Sequence, residues 1–129
     1  MWFENAIGKE KIQFMFKNEL DIKSIEVDSF SLERFSDLKF IFFCKHVPKT
    51  HPEKWGKVKF NALKIEITFG DVIQMNVSGT RVGFICSPMI KSSNNYSEIK
   101  IQHDSLELYC KAKFLTIEGI YPYVDERWD

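Results

Sequence analysis

The sequence predicts an α+β fold that is mostly β, with a short N-terminal helix packed on a curved antiparallel sheet or sandwich of about seven to eight strands. The length of 129 residues fits a single domain spanning 1–129. The 12 phenylalanines and a 44% share of hydrophobic residues are sufficient for a buried core. From about residue 24 onward, apolar and polar residues alternate with period 2, and turn signals interrupt the alternation at regular spacing.

The helix is predicted over residues 8–18, GKEKIQFMFKN. Apolar side chains recur there at helical spacing, and lysine and glutamate fill the positions between them. Phe14 falls outside this apolar stripe. The following residues, NELD at 18–21, indicate where the helix ends.

Two changes of parity predict β-bulges. The first lies near Asp28–Ser29 within IKSIEVDSFSLERF, and the second lies at Asn61–Ala62, where the parity of Val58 and Phe60 gives way to that of Leu63 onward. Between them, LKFIFFCK at 38–45 is apolar on both faces, which is typical of a central strand covered on both sides.

The second half of the chain contains further turn signals. Gly70–Asp71, Gly79–Thr80 and the segment 103–105 each predict a turn, and SPMIKSSNNYS at 87–97 predicts a loop. The rest of the sequence, YSEIKIQH, SLELYC and AKFLTIEGIYPY, then predicts three short strands.

No motif in the sequence indicates catalysis, a metal or a cofactor. The nucleophile and phosphate-loop patterns are absent, and the histidine pair His46 and His51 has no cysteine pair before it. Glu26 and Glu66 are interpreted as solvated charges on the polar faces of strands. We therefore expect a protein that is not an enzyme and that holds neither metal nor cofactor.

The three cysteines, Cys44, Cys86 and Cys110, are widely spaced and each lies within an apolar alternation. This pattern predicts buried, reduced thiols in the cytoplasm. The N-terminus MWFENAIGKEKIQF has no basic region followed by an apolar run, and no apolar stretch is long enough to span a bilayer. We expect a cytoplasmic protein without a membrane partner.

The formal net charge is zero, so the sequence lacks the global basic field of a typical nucleic-acid-binding protein. Its charge is nevertheless divided: residues 51–100 carry seven basic and four acidic side chains, and residues 101–129 carry three and six. Such a division can steer a protein partner. The side chains predicted to contact that partner are Lys54, Trp55, Lys57, Lys59, Asp104, Glu107, Asp125 and Glu126.

Two alternatives stand beside protein binding. The Lys/Trp loop at 45–60 could bind nucleic acid through phosphate contacts and base stacking. The many phenylalanines could instead line the cavity of a small ligand-binding β-barrel. For Trp55 itself, a position in the core is favoured over a role at an interface, because large aromatic side chains are mostly buried.

Three segments in this order carry a resemblance to a known family: MWFENAIGKEKI, HPEKWGKVKFNALKIEITF and LYCKAKFLTIEGIYPY. From Trp2 to about Tyr123 the chain resembles the bacterial polymorphic-toxin immunity proteins of the family numbered fifty. The resemblance implies a cytoplasmic antidote that binds and occludes a cognate toxin domain. It implies no catalytic residues, and the oligomeric state is expected to be a monomer or weak dimer.

Overall fold

In a computed structural model the described residues are 1–48, 50–57 and 59–127, and they form one helix, one 3-10 helix and seven strands. The elements in chain order are α1 (Glu10–Phe16), β1 (Ile25–Glu33), β2 (Asp37–Cys44), the 3-10 helix (Glu53–Lys57), β3 (Ala62–Gly79), β4 (Phe84–Cys86), β5 (Met89–Ser92), β6 (Ser97–His103) and β7 (Leu106–Tyr123). No helix among the described residues is both long and apolar enough to cross a membrane.

The seven strands form one curled antiparallel sheet in the order β4-β1-β2-β3-β7-β6-β5. The predicted fold class is confirmed. The longest strands, β3 and β7, have 18 residues each and pair with one another along nearly their whole length. The first half of β3 also pairs with β2 over residues 63–69, but the second half, residues 72–79, pairs with β7 alone.

The concave face of the sheet holds the core. Alternation along β2 and the first half of β3 directs Phe40, Phe42 and Phe69 to this face, where they are fully buried. The apolar stripe of α1 closes the core, since Ile12 and Phe16 are also fully buried. The central-strand prediction holds in part, because the outer face of β2 is only half-buried.

The helix begins and ends inside the predicted segment 8–18. Lys17 takes a left-handed conformation and its backbone N–H donates to the carbonyl of Gln13, which ends α1. Phe14, off the apolar stripe in the sequence, is 84% exposed. The sequence periodicity therefore located both the buried and the solvent-facing sides of the helix.

One predicted bulge is confirmed and the other is wrong. The register of β1 against β2 moves from Val27–Phe42 to Ser29–Ile41, so Asp28 is the extra residue of a bulge. At Asn61–Ala62 there is no bulge, because β3 begins at Ala62 and the parity change marks the end of the preceding loop. Val58, part of that predicted alternation, lies outside the described residues.

The predicted turn at Gly70–Asp71 is wrong. The strand β3 continues through both residues, with Asp71 at a φ of +58° and a register shift following between Val72 and Gln74. Gly70 has no Cβ, and the ring of its cross-strand partner Phe114 occupies that space. The chain bends here without reversing.

The remaining differences concern the last third of the chain. Leu106–Tyr123 is one strand where two were predicted, because β7 has a partner on both sides of the expected break. The predicted loop at 87–97 contains β5. The predicted turn near Asp104–Ser105 is confirmed and joins β6 to β7.

Candidate functional site

The Lys/Trp loop places its tryptophan in the core. Trp55 lies in the 3-10 helix and is 5% exposed. Its ring centroid is 5.7 Å from that of Phe16 and 5.8 Å from that of Phe60, and the His51 ring stacks on it at a centroid distance of 6.1 Å. The core interpretation of Trp55 is confirmed, and a ring held in this way is not available to stack on a base.

The predicted contact residues separate into two groups. Lys54 and Lys59 are exposed just before β3 begins, and the side chain of Lys57 lies outside the described part of the structure. Asp104 and Glu107 are exposed in and beside the β6–β7 turn, where Glu107 pairs with Ser78 near the end of β3. At about 3.3 Å per residue, roughly 50 Å of strand separates the two groups. The structure does not bring them together in one patch.

Asp125 is buried, although it was predicted from the sequence to be an exposed residue that contacts the partner. Its backbone N–H donates to Asn61 Oδ1, and Asn61 Nδ2 donates to its carbonyl, both at 2.8 Å. Arg127 Nη2 lies 2.6 Å from Asp125 Oδ2 and 2.6 Å from Glu26 Oε1. Residues 124–127, which we call the C-terminal strap, are therefore anchored to β1 and to the start of β3, and Glu126 within them is exposed.

The electrostatics of the strap follow from this geometry. The hydrogen bond from Arg127 lowers the pKa of Asp125, although desolvation opposes it. The same guanidinium has its own pKa raised by Asp125 first and by Glu26 second. Glu26 is buried and paired, so its interpretation as a solvated charge is wrong. Glu66 is half-buried, with Lys64 at 3.7 Å and Lys39 at 3.9 Å.

The cysteines differ in burial. Cys44 and Cys110 are fully buried as predicted, but Cys86, near one edge of the sheet, is only half-buried. Burial raises the pKa of Cys86 and of Cys110 to about 11 and also raises the pKa of Cys44. Thiols of this kind are protonated at neutral pH and are poor nucleophiles.

A large groove lies between the N-terminal segment and the β5 edge of the sheet. Its volume is about 990 Å³. Trp2 forms part of its wall and is fixed there by a hydrogen bond from its Nε1 to the carbonyl of Leu20, at 3.2 Å. On the sheet side, the Glu98 carboxylate accepts a hydrogen bond from Tyr109 at 2.8 Å, which raises the pKa of that phenol. We call this feature the N-terminal groove.

The floor of the N-terminal groove is apolar and its rim is charged with both signs. Apolar residues that line it are Met1, Trp2, Phe3, Leu20, Ile22, Pro88, Met89 and Ile90. Charged residues that line it are Glu19, Asp21, Lys23, Lys91, Glu98 and Lys100. Such a groove fits an apolar segment with polar ends better than a strongly charged ligand.

A second surface lies at the far end of β3, and it was not found from the sequence. Five exposed apolar side chains belong to the tip of the β1–β2 hairpin and the second half of β3; they are Leu32, Phe35, Ile73, Met75 and Val77. We call this set the distal rim. Two hydrogen bonds join its parts: Val72 N donates to the Ser36 carbonyl at 2.8 Å, and Asp71 N donates to Asp37 Oδ1 at 3.1 Å.

The described residues contain no group of three or more histidine, cysteine, aspartate or glutamate side chains placed to hold a metal ion. The candidate site features are therefore the N-terminal groove and the distal rim, with charged side chains at both ends of β3.

Comparison with known families shows to which family the chain belongs. The sequence profile of the family described as Immunity protein 50 matches residues 8–123. The chain belongs to the Immunity protein 50 family. The part shared with the Immunity protein 50 profile runs from just before α1 to the end of β7, and it contains the whole distal rim. No curated protein and no solved structure matches the chain.

Proposed function

We propose that this member of the Immunity protein 50 family binds the toxin domain of a cognate polymorphic toxin. It blocks the toxin by covering the surface through which the toxin acts. The observation that carries the proposal is the family match over nearly the whole chain. A match of this extent aligns the entire sheet with the family, so the proposed role belongs to the domain as a whole.

The proposed mechanism is steric and involves no chemical change of the toxin. A covering protein must be rigid and must present exposed side chains that a partner can bury. The curled sheet and its buried phenylalanines meet the first condition. The distal rim and the N-terminal groove meet the second. The protonated thiols are poorly suited to covalent catalysis, which agrees with a protein that is not an enzyme.

Nucleic-acid binding through loop 45–60 is less well supported than protein binding. The loop would need an aromatic face for stacking, but Trp55 is buried. The net charge of zero also limits phosphate contacts over the rest of the surface. We propose that the partner is the toxin protein, that neither nucleic acid nor membrane is bound, and that the protein acts in the cytoplasm as a monomer or weak dimer.

The test is protection from the toxin domain encoded beside this gene. The toxin domain is expressed in a bacterial host from an inducible promoter, alone or together with this protein, and colony counts are compared. We expect co-expression to restore growth and the two proteins to co-purify. A matched control co-expresses an unrelated immunity protein at the same level. If growth is not restored and the proteins do not co-purify, the proposed function is wrong.

A further inference from the structure

We infer that the distal rim is the surface through which the protein binds its toxin, and that the toxin contributes an extended segment and an apolar pocket. The extended segment pairs with the free edge of β3, and the pocket receives Phe35. This inference rests on the proposed function, and it specifies a binding surface that differs from both the Lys/Trp loop and the N-terminal groove.

The first observation is an unpaired strand edge. Residues 74–79 of β3 pair with β7 on one side, Ile73 is the extra residue at the register shift, and no described strand pairs with residues 73–79 on the other side, because pairing with β2 ends at Phe69. An exposed row of backbone N–H and C=O groups is a template for a further strand. We call residues 73–79 the distal edge.

The distal edge lacks the usual protection against strand addition. Native edges are commonly guarded by lysine, by proline or by a bulge. Residues 72–80, VIQMNVSGT, contain no charged side chain and no proline. The one irregularity, between Val72 and Gln74, lies at the start of the segment and leaves the rest in regular register with β7. The edge is therefore open to a strand from another chain.

The second feature of this surface is the exposed side chain of Phe35. It is fully exposed at the hairpin tip and has a φ of +74°, next to Arg34 at +49°. Turn positions with positive φ favour glycine or asparagine, so a phenylalanine here is conformationally unfavourable. Its ring also buries no area within the described protein. Large aromatic side chains presented in this way are typical anchors of protein interfaces.

The hairpin tip and the distal edge form one continuous surface. The hydrogen bond from Val72 N to the Ser36 carbonyl places the residue after Phe35 against the residue before Ile73. The second bond, from Asp71 N to Asp37, fixes the same corner. Because both parts are already held in position, a partner that covers them does not have to order them, which lowers the entropic cost of binding.

The chemistry of this surface indicates its occupant. A row of free backbone groups is satisfied by another main chain in extended conformation, and the exposed apolar side chains beside it require an apolar counterpart. The described terminal segments of this chain do not supply that strand. Asn5 is bonded to Ser92 on β5, and the C-terminal strap lies at the opposite end of β3.

A second copy of the chain fits less well than a toxin. Seven residues extend for about 24 Å, and with a sheet thickness of about 10 Å the edge-to-edge contact would bury roughly 500 Å² in total. Stable interfaces bury about 1,200 Å² or more. A toxin of different shape can cover the edge, Phe35 and the adjacent β6–β7 turn together, so we commit to the toxin as the occupant.

Charge at one end of the edge further restricts the partner. Asp104 and Glu107 are exposed beside residues 78–79, and neither forms an ion pair within the described part of the chain. Arg81 lies in the same corner, with its Nε 3.3 Å from Ser105 Oγ, so the three groups sum to one negative charge. We expect the toxin segment to carry a lysine or arginine at this end.

The first experiment measures affinity for the toxin domain encoded beside this gene, carrying a substitution that abolishes its toxicity. The test variants are Phe35→Ala and Ile73→Lys. Their matched controls are Phe14→Ala, an 84% exposed phenylalanine on α1, and Ile85→Lys, which is 59% exposed on β4 against 56% for Ile73. We expect each test variant to weaken binding by about 30-fold or more and each control by less than about 3-fold.

The outcomes separate the two proposals. Wild-type protein that does not bind the toxin overturns the proposed function. Wild-type protein that binds, together with test variants that bind equally well, overturns the surface assigned here and leaves the proposed function standing. Light scattering after gel filtration tests the competing occupant: a wild-type dimer that Phe35→Ala converts to a monomer would show that this surface binds a second copy.

The second experiment tests the strand itself. Hydrogen exchange of the wild-type protein is followed with and without the inactive toxin domain. Amides that point outward within residues 73–79 should become protected in the complex, whereas the amide of Val72, already bonded to Ser36, should change little. If Phe35→Ala loses affinity but the wild-type protein gains no protection at 73–79 in the complex, the proposed strand pairing is wrong.

Discussion

Arg127 joins Glu26 across 101 residues of sequence, with its Nη2 2.6 Å from Glu26 Oε1. The same guanidinium binds Asp125, so one side chain neutralises a buried carboxylate on β1 and holds the C-terminal strap. Removal of one partner from such a group leaves the charges of the other partners uncompensated. The strap is therefore part of the fold.

This ion pair makes stability depend on pH at the acid end. The pKa of Asp125 is lowered in the folded state, so its contribution is complete above the ordinary value near 3.8 and is lost as the pH falls through the folded value. We expect the midpoint of urea denaturation to fall more between pH 5 and pH 3 in the wild-type protein than in Asp125→Asn. Equal falls in both proteins would contradict a lowered pKa at this position.

Trp55 should contribute to the stability of the folded protein. Replacement with alanine removes a buried indole that contacts Phe16 and Phe60, and we expect a loss of about 3–5 kcal/mol in the free energy of unfolding. Lys54→Ala, an exposed neighbour, is the matched control and should change that free energy by less than about 0.5 kcal/mol. Chemical denaturation of both variants checks the prediction. A Trp55→Ala protein as stable as wild type would require another position for the ring.

The thiols should react in an order set by burial. At pH 8, a thiol with a pKa of about 11 is roughly one thousandth thiolate, which slows its modification by an aromatic disulfide reagent. We expect slow labelling of the native protein, with half-buried Cys86 modified before Cys44 and Cys110, and complete labelling after unfolding. Mass spectrometry of partly labelled protein identifies the modified residue. Fast native labelling at Cys110 would contradict its burial.

The two charged ends of β3 should differ in their effect on toxin binding. If the distal rim is the interface, Glu107→Lys should lower the association rate by several-fold, because it reverses a charge beside the distal edge. Lys59→Glu, at the other end of β3, should leave that rate nearly unchanged. Stopped-flow measurements at low and high salt compare the two variants. A larger effect at Lys59 would favour the loop end as the interface.

Local patterns in the sequence predicted most elements of this fold and few of its contacts. The parity change at Asp28 identified a real bulge because a bulge alters the alternation of the strand itself. The turn predicted at Gly70–Asp71 was wrong. A glycine followed by a residue that can take a positive φ, as Asp71 does, occurs in the sequence of a bend as well as in that of a turn. What distinguishes the two is Phe114, a partner 44 positions away in the sequence.

The candidate surfaces were harder to predict for the same reason. Asp125 looked exposed because its partner Asn61 lies 64 positions away, and nothing near Asp125 in the sequence indicates that contact. Phe35 was not distinguished from the other phenylalanines, although its position between Arg34 and Ser36 in a tight hairpin was an available signal. Burial on a strand follows from alternation, but exposure of a strand edge depends on which strands are neighbours.

The division of β3 into two halves has a consequence for how this protein can change. Its first half is almost entirely buried on one face, so a substitution there disturbs the core. Its second half exposes nearly every side chain, so substitutions there cost little stability. A single strand thus combines a stretch that cannot vary with one that can. On the proposal that the distal rim binds the toxin, substitutions in residues 73–79 would change toxin specificity without loss of the scaffold that presents them.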